Sequence, residues 1–200
     1  HLPTTDGNIR LARLLTWVEG RVFAEANPHS PLLLQRLGEM CGNLCRSLAD
    51  FDHPAAHRFM KWDTQQTEWI KPHLEKFTGE RKYFVDYFYS LFEEIALPVF
   101  PRLRKSVNYN DANDYNILVS HGVKDPVVPG VIDFGDVVYT QTINELAIAL
   151  AYAVMNKPDP IEAACHVVSG FNHTFKLTDE EIKVLFPLMT ARLIISVTCS

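Results

Sequence analysis

The chain of 200 residues carries 19 Lys and Arg against 24 Asp and Glu, a net charge of −5, with 47% hydrophobic and 22% charged residues. This balance suits one sizeable buried core. It argues against a nucleic-acid or membrane partner and is compatible with a cationic small molecule.

In chain order, Arg13 to Gly20 reads as an edge strand ending at Gly20. Ser30-Pro31 starts a helix, with Pro at the first helical position. Leu33, Leu37, Met40, Cys41, Leu44 and Leu48 then recur at helical spacing through Asp50. His53 and His57 have the spacing of a zinc pair, but no third ligand stands at a fitting distance and Pro54 intervenes, so they read as structural. Trp62 and Asp63 are candidate substrate contacts, because an aromatic face and a carboxylate suit an ammonium group. A helix start is the equal alternative for them. A second helix is expected from Thr64 to about Leu74. A third runs from about Glu80 to Leu97, where Pro98 ends it. Its stripe of Phe84, Tyr87, Phe88, Leu91, Phe92 and Ile95 reads as core.

Arg102, Arg104 and Lys105 read as solvated charge, with a phosphate contact as the alternative. Ile117 to Val119 reads as a strand. His121 to Gly130 carries turn chemistry, and Val131 to Phe134 reads as the return strand. A buried helix from Thr142 to Met155, a turn from Asn156 to Pro160, and a helix from Pro160 to Phe175 follow. Thr178 and Glu181 form a capping box that opens a last helix, with a kink expected at Pro187. No signal-peptide pattern and no run of 18 apolar residues is legible. Cys41, Cys45, Cys165 and Cys199 form no C-x-x-C, and Cys41 and Cys45 are expected to pack as small apolar side chains. A reducing cytoplasm is the expected compartment.

The chemistry lies between Asp111 and Asp136. Asp111 stands five residues ahead of Asn116, and Asp133 ends the apolar pair Val131-Ile132. Phosphoryl transfer needs these parts: one carboxylate for the proton of the attacking hydroxyl, and an amide and a second carboxylate for a divalent cation. A loop can aim its first member at the nucleophile and its last at the metal, while the second carboxylate converges from another strand.

The stretch Val107-Asn108-Tyr109-Asn110-Asp111-Ala112-Asn113-Asp114-Tyr115-Asn116, with Ile132-Asp133-Phe134-Gly135-Asp136, resembles the aminoglycoside phosphotransferase and choline kinase superfamily, with the hydroxylysine kinases as the nearest group. The family's usual loop reads His-Gly-Asp or His-Asn-Asp; here Tyr109 stands where His is usual, which puts the loop's hydrogen bonding in question. The resemblance implies Asp111 as catalytic base and Asn116 and Asp133 as Mg²⁺ ligands. Asn110, Asp114 and Asp136 are implied as supporting residues. The segment around Trp17 and Val18 resembles the link between two lobes, whose backbone would face the adenine ring of ATP, or the guanine ring of GTP as an alternative. His53 to Arg58 with Lys61 to Asp63 also resembles the segment after the first large helix of this group.

The fold implied is α+β, mainly α: the helical C-terminal lobe of a protein kinase-like fold, with a short β-hairpin carrying the catalytic and metal motifs. Residues 1–20 are expected to end the N-terminal lobe and link it to a helical lobe over 21–200. No Gly-rich phosphate loop is legible, so the chain is expected to be a fragment and a poor catalyst alone. The implied activity moves the γ-phosphoryl group of ATP to a hydroxyl of a small amine-bearing molecule of the hydroxylysine, aminoglycoside or choline type. The alternative is an inactive kinase-like binding or regulatory module, by resemblance one that can be joined to a class III aminotransferase.

Overall fold

A computed structural model describes residues 2–3, 7, 9–10 and 14–199. Arg13 and the side chains ahead of it lie outside the described residues. Strands β1 (Leu2–Pro3) and β2 (Ile9–Arg10) pair antiparallel. Leu14 to Gly20 is irregular rather than an edge strand, and pairing begins after Gly20, in β3 (Arg21–Val22).

Helix α1 (Pro31–Leu48) forms where its signals stand. The Ser30 hydroxyl accepts from the Leu33 N–H, and Leu33, Leu34, Leu37, Cys41 and Cys45 are buried. The segment Thr64–Lys76 takes the tighter 3₁₀ form, broken at Gln66 and carrying Pro72, where the sequence suggested an ordinary helix. Helix α2 (Gly79–Leu91) continues into a π turn over Phe92–Ala96. Its buried face is Val85, Tyr89, Phe92 and Ala96, whereas Phe84, Tyr87 and Ile95 are exposed. The aromatic stripe is therefore only partly core. Aromatic residues occur around much of this helix, and the smaller Val85 and Ala96 mark the side that fits against the last helix.

Two short ladders organise the centre. Strand β4 (Lys105–Asn108) pairs antiparallel with β7 (Val138–Gln141), and Val107 faces Tyr139. Strand β5 (Ile117–Val119) pairs with β3 on one side and with β6 (Gly130–Val131) on the other. The return strand stops short of Phe134. Ile132 still donates its N–H to the Asn116 carbonyl at 2.9 Å, but Asp133 turns into the left-handed region with φ 59° and ends the pairing.

Helix α3 (Asn144–Ala153) is buried almost throughout, followed by α4 (Pro160–Thr174) and α5 (Asp179–Cys199). The Asp159 side chain caps α4. Thr178 and Glu181 make the expected capping box: the Glu181 N–H donates to the Thr178 hydroxyl and the Thr178 N–H to Glu181. Arg104 is exposed on one side but is also paired. Its guanidinium makes two hydrogen bonds to the buried Glu181 carboxylate, at 2.8 and 2.6 Å, and lies over the Phe175 ring. Among the described residues, α5 is the helix long and apolar enough by composition to cross a membrane. Here it lays Val184, Leu188, Ala191 and Ile195 into the core.

Helices α1 and α4 approach through glycines. A Cβ at Gly38 would lie 1.9 Å from the Val167 carbonyl oxygen, and one at Gly170 would lie 1.9 Å from that of Gln35. Gly170→Ala is expected to lower stability although alanine favours the helix. The propensity gain is about 1 kcal/mol at most. Forcing two backbones apart in a packed interface costs about 1–3 kcal/mol or more. Urea unfolding of the full-length protein reads the balance as a lower midpoint.

Candidate active site

The two motif loops span the same pair of ladders. The first leaves β4 at Asn108 and enters β5 at Ile117; the second leaves β6 at Val131 and enters β7 at Val138. Because β4 pairs with β7 and β5 with β6, the loops are held side by side. Asp111 and Asp133 thus share one region although 22 residues separate them in sequence.

Within the first loop, the Asn113 side-chain oxygen accepts from the N–H groups of Tyr115 and Asn116, at 2.9 and 3.2 Å. That turn aims Asn116 back at Asp111, whose Oδ2 accepts from the Asn116 amide at 2.6 Å. With its nitrogen committed there, Asn116 keeps its side-chain oxygen, the end that can ligate a cation. An amide oxygen and a carboxylate are hard donors of the kind Mg²⁺ takes beside phosphate oxygens. Asp133, on the adjacent loop, is the carboxylate that could serve there. It is exposed, and its Oδ1 accepts from the Gly135 N–H at 3.0 Å.

Tyr109 joins the loops. Its ring is buried, its hydroxyl donates to the Ile132 carbonyl just ahead of Asp133, and Phe134 packs edge-on against it at 5.0 Å. Tyrosine in this position gives the loop a hydrogen bond to the segment that carries Asp133. Arg58 closes the far side of that segment, donating to the carbonyls of Gly135 and Val137.

Asn110 takes a left-handed conformation, φ 65°, and its N–H donates to Glu145 at 2.9 Å. Glu145 is 1% exposed beneath the loop. Burial pushes its carboxyl up to about 7, against the pull of the Asn110 N–H. The folded form therefore binds a proton more tightly than the unfolded chain, and stability falls as pH rises from about 4.5 to about 7. The shift corresponds to about 3 kcal/mol. Glu145→Gln keeps an acceptor for Asn110 and removes the titration. Urea unfolding at pH 5 and pH 8 is expected to show a smaller loss of stability between the two in the variant than in the parent protein.

Asp111 is held from two sides. While Oδ2 faces Asn116, Oδ1 accepts from Arg192 of α5 at 2.9 Å. Burial raises the Asp111 pKa, Asn113 and Arg192 pull it back, and the nearby charge of Asp136 raises it.

The remaining candidates divide. Asp114 accepts from the Ala24 N–H through its backbone carbonyl, tying the loop to the segment after β3. Trp17 is 79% exposed, and Val18 lies beside Gly130 at the start of β6. Asp63 is fully buried and accepts from the Gln65 N–H at 3.0 Å and the Thr140 hydroxyl at 2.7 Å. It caps the 3₁₀ segment, so a substrate ammonium has no path to it. Trp62 carries the Arg192 guanidinium on its ring at 4.8 Å. His53 caps the turn at Pro54, and His57 pairs with Asp52 at 2.7 Å, so the two histidines do not converge on a metal. Arg58, Glu145 and Arg192 carried no local signal; their partners lie 77, 35 and 81 residues away.

A loop-borne aspartate with an asparagine five residues on, and a second aspartate on the adjacent loop between two ladders, over a body of helices, is the arrangement of a kinase-like phosphotransferase. The chain belongs to the phosphotransferase enzyme family, whose profile it matches over residues 3–172. It is 30% identical over 197 residues to hydroxylysine kinase of Mus musculus, covering 91% of this chain and 51% of that protein. It is 32% identical over 193 residues to hydroxylysine kinase of Bos taurus, with 91% and 51% covered. The chain thus spans about half the length of these relatives. Among solved structures it shares its fold with a microcompartment-associated aminopropanol kinase, with a TM-score of 0.69, 17% identity, and 98% and 65% covered. It also shares it with an amicoumacin kinase complexed with AMP-PNP, Ca²⁺ and Ami, with a TM-score of 0.63, 18% identity, and 92% and 55% covered.

Proposed function

We propose that the chain carries the acceptor and metal half of an ATP-dependent small-molecule kinase, acting on a hydroxyl of an amine-bearing substrate of the hydroxylysine type. The observation that carries this is the convergence of Asp111, Asn116 and Asp133 on two loops held by common ladders. The named relatives, hydroxylysine kinases, support the substrate class. The AMP-PNP and divalent ion of the amicoumacin kinase complex support the use of ATP and a divalent metal.

On this reading Asp111 accepts or orients the proton of the attacking hydroxyl. Asn116 and Asp133 would hold Mg²⁺ through their side-chain oxygens, and what that ion would supply is neutralisation of charge on the phosphate oxygens. Asn110 and Tyr109 fix the loop so that Asp111 needs no reorganisation when substrate arrives, which is where most of the rate would originate. The segment around Trp17 and Val18 approaches β6, which supports reading residues 1–20 as the end of an N-terminal lobe and an adenine-facing link to the helical lobe over 21–200. GTP remains the alternative nucleotide, and the cytoplasm is the proposed compartment.

The test is Mg-dependent ATP consumption by the full-length protein against a panel of hydroxylated amines. Acceptor-stimulated turnover supports the reading. Mg-ATP bound without turnover on any acceptor favours the inactive kinase-like module.

A further inference from the structure

The catalytic aspartate is gripped by a residue from the far end of the chain. Arg192 lies on α5, and its side chain is 3% exposed. One terminal nitrogen donates to Asp111 Oδ1 at 2.9 Å and the other to the Trp62 carbonyl at 3.1 Å. The guanidinium is stacked over the Trp62 ring at 4.8 Å and faces Tyr152 at 5.9 Å. Its Nε has no partner. The neighbours Ala191, Ile194 and Ile195 are buried, so the helix that supplies the arginine is anchored on both sides of it.

A stacked, forked guanidinium has one geometry here. Rotating it away from Asp111 would also break the bond to Trp62 and leave a charge buried without a partner, which is costly. Asn116 fixes the other carboxylate oxygen, so the two donors together define the plane of the Asp111 carboxylate and the direction of its free lone pairs. From the loop, Asn116 and Asn113 act on the carboxylate; Arg192 is the donor that reaches it from a separate element.

Resting on the reading of Asp111 as the base, we infer that Arg192 is a positioning residue for phosphoryl transfer: from α5 it sets the orientation of the Asp111 carboxylate toward the acceptor hydroxyl. Trp62 and Tyr152 are the seat of that guanidinium. The arginine is too enclosed to bind substrate itself.

The experiment compares Arg192→Met, Arg192→Lys, Asp111→Asn and the double variant Arg192→Met with Asp111→Asn, all in the full-length protein. For Arg192→Met the expected result is a kcat lower by about 10–10²-fold, the scale of losing a supporting partner, with the KM for nucleotide unchanged. Arg192→Lys, which places a charge but not the fork, recovers only part of the loss. Added guanidinium ion restores turnover to an Arg192→Ala variant, and the double variant is no slower than Asp111→Asn alone. Unfolding midpoints measured on the same nucleotide-saturated samples, with turnover assayed where each variant is folded, separate the effect from loss of fold. Full kcat in Arg192→Met, or a loss that simply multiplies that of Asp111→Asn, overturns the inference while leaving the base assignment standing. Full turnover in Asp111→Asn removes the base assignment itself.

Discussion

Asp111→Asn in the full-length protein is expected to lower acceptor-stimulated turnover by about 10²–10⁴-fold, the scale of a positioned general base. Nucleotide affinity should stay close to that of the parent protein. The substitution keeps the shape of the side chain and removes its charge and one acceptor. Asp111 receives a hydrogen bond on each oxygen, from Asn116 and from Arg192. An asparagine can receive only one of them. Arg192, 3% exposed, then faces a neutral partner. Some stability is therefore lost along with the base, up to the 3–5 kcal/mol typical of stripping a buried charge of its partner. The assay has to be run where the variant is folded, with the unfolding midpoint measured on the same sample. Nucleotide affinity separates the two effects, because it depends on the fold and on the metal loop but not on proton transfer. Parent-like turnover in a folded variant would remove Asp111 from the mechanism.

The parts of the site that could be read from the sequence are those whose geometry is local. Asp111 and Asn116 sit in one turn organised by Asn113, and Asp133 ends a short paired strand. Residue type and spacing carry such arrangements. Helix α1 and the capping box of α5 were legible for the same reason: Ser30 with Leu33, and Thr178 with Glu181, are partners three residues apart.

What failed to show in the sequence depends on partners far along the chain. The pairing of Arg104 did not show because Glu181 lies 77 residues away. Asp63 looked available to a substrate until Thr140 and Asn144 enclosed it. Gly38 and Gly170 carry no side chain to signal that two backbones meet there. Along α2 and the turn after it, side-chain size marked the inner face only in part, since Phe92 is buried with Val85 and Ala96 while Phe84, Tyr87 and Ile95 remain exposed. Aromatic residues contribute large apolar area wherever they sit, so a helix with aromatics around it does not declare its inner side. The substitution of Tyr109 for the family's histidine raised a question that local sequence could not answer. Its hydroxyl reaches Ile132, 23 residues on, and ties the loop of Asp111 to the loop of Asp133.

That tie bears on the second large effect, Asp133→Asn, which is expected to weaken Mg-dependent nucleotide binding and leave the fold unchanged. Asn tolerates the left-handed backbone that Asp133 adopts, φ 59°. Its side-chain oxygen can still accept from the Gly135 N–H. The side chain is exposed, so no buried partner is stripped. The change is confined to the loss of a full negative charge at a position proposed to face a divalent cation. Losing an outer partner of a metal ligand costs about 10–100-fold in affinity, and losing the charged ligand itself should exceed that. Titration of nucleotide with and without Mg²⁺ reads the effect directly: the Mg-dependent gain in affinity collapses, while metal-free binding and the unfolding midpoint hold. Asp111→Asn should show the reverse pattern, with the Mg-dependent gain intact and turnover lost. The two variants together assign base and metal ligand separately, since a general disturbance of the paired loops would move both readouts in both proteins.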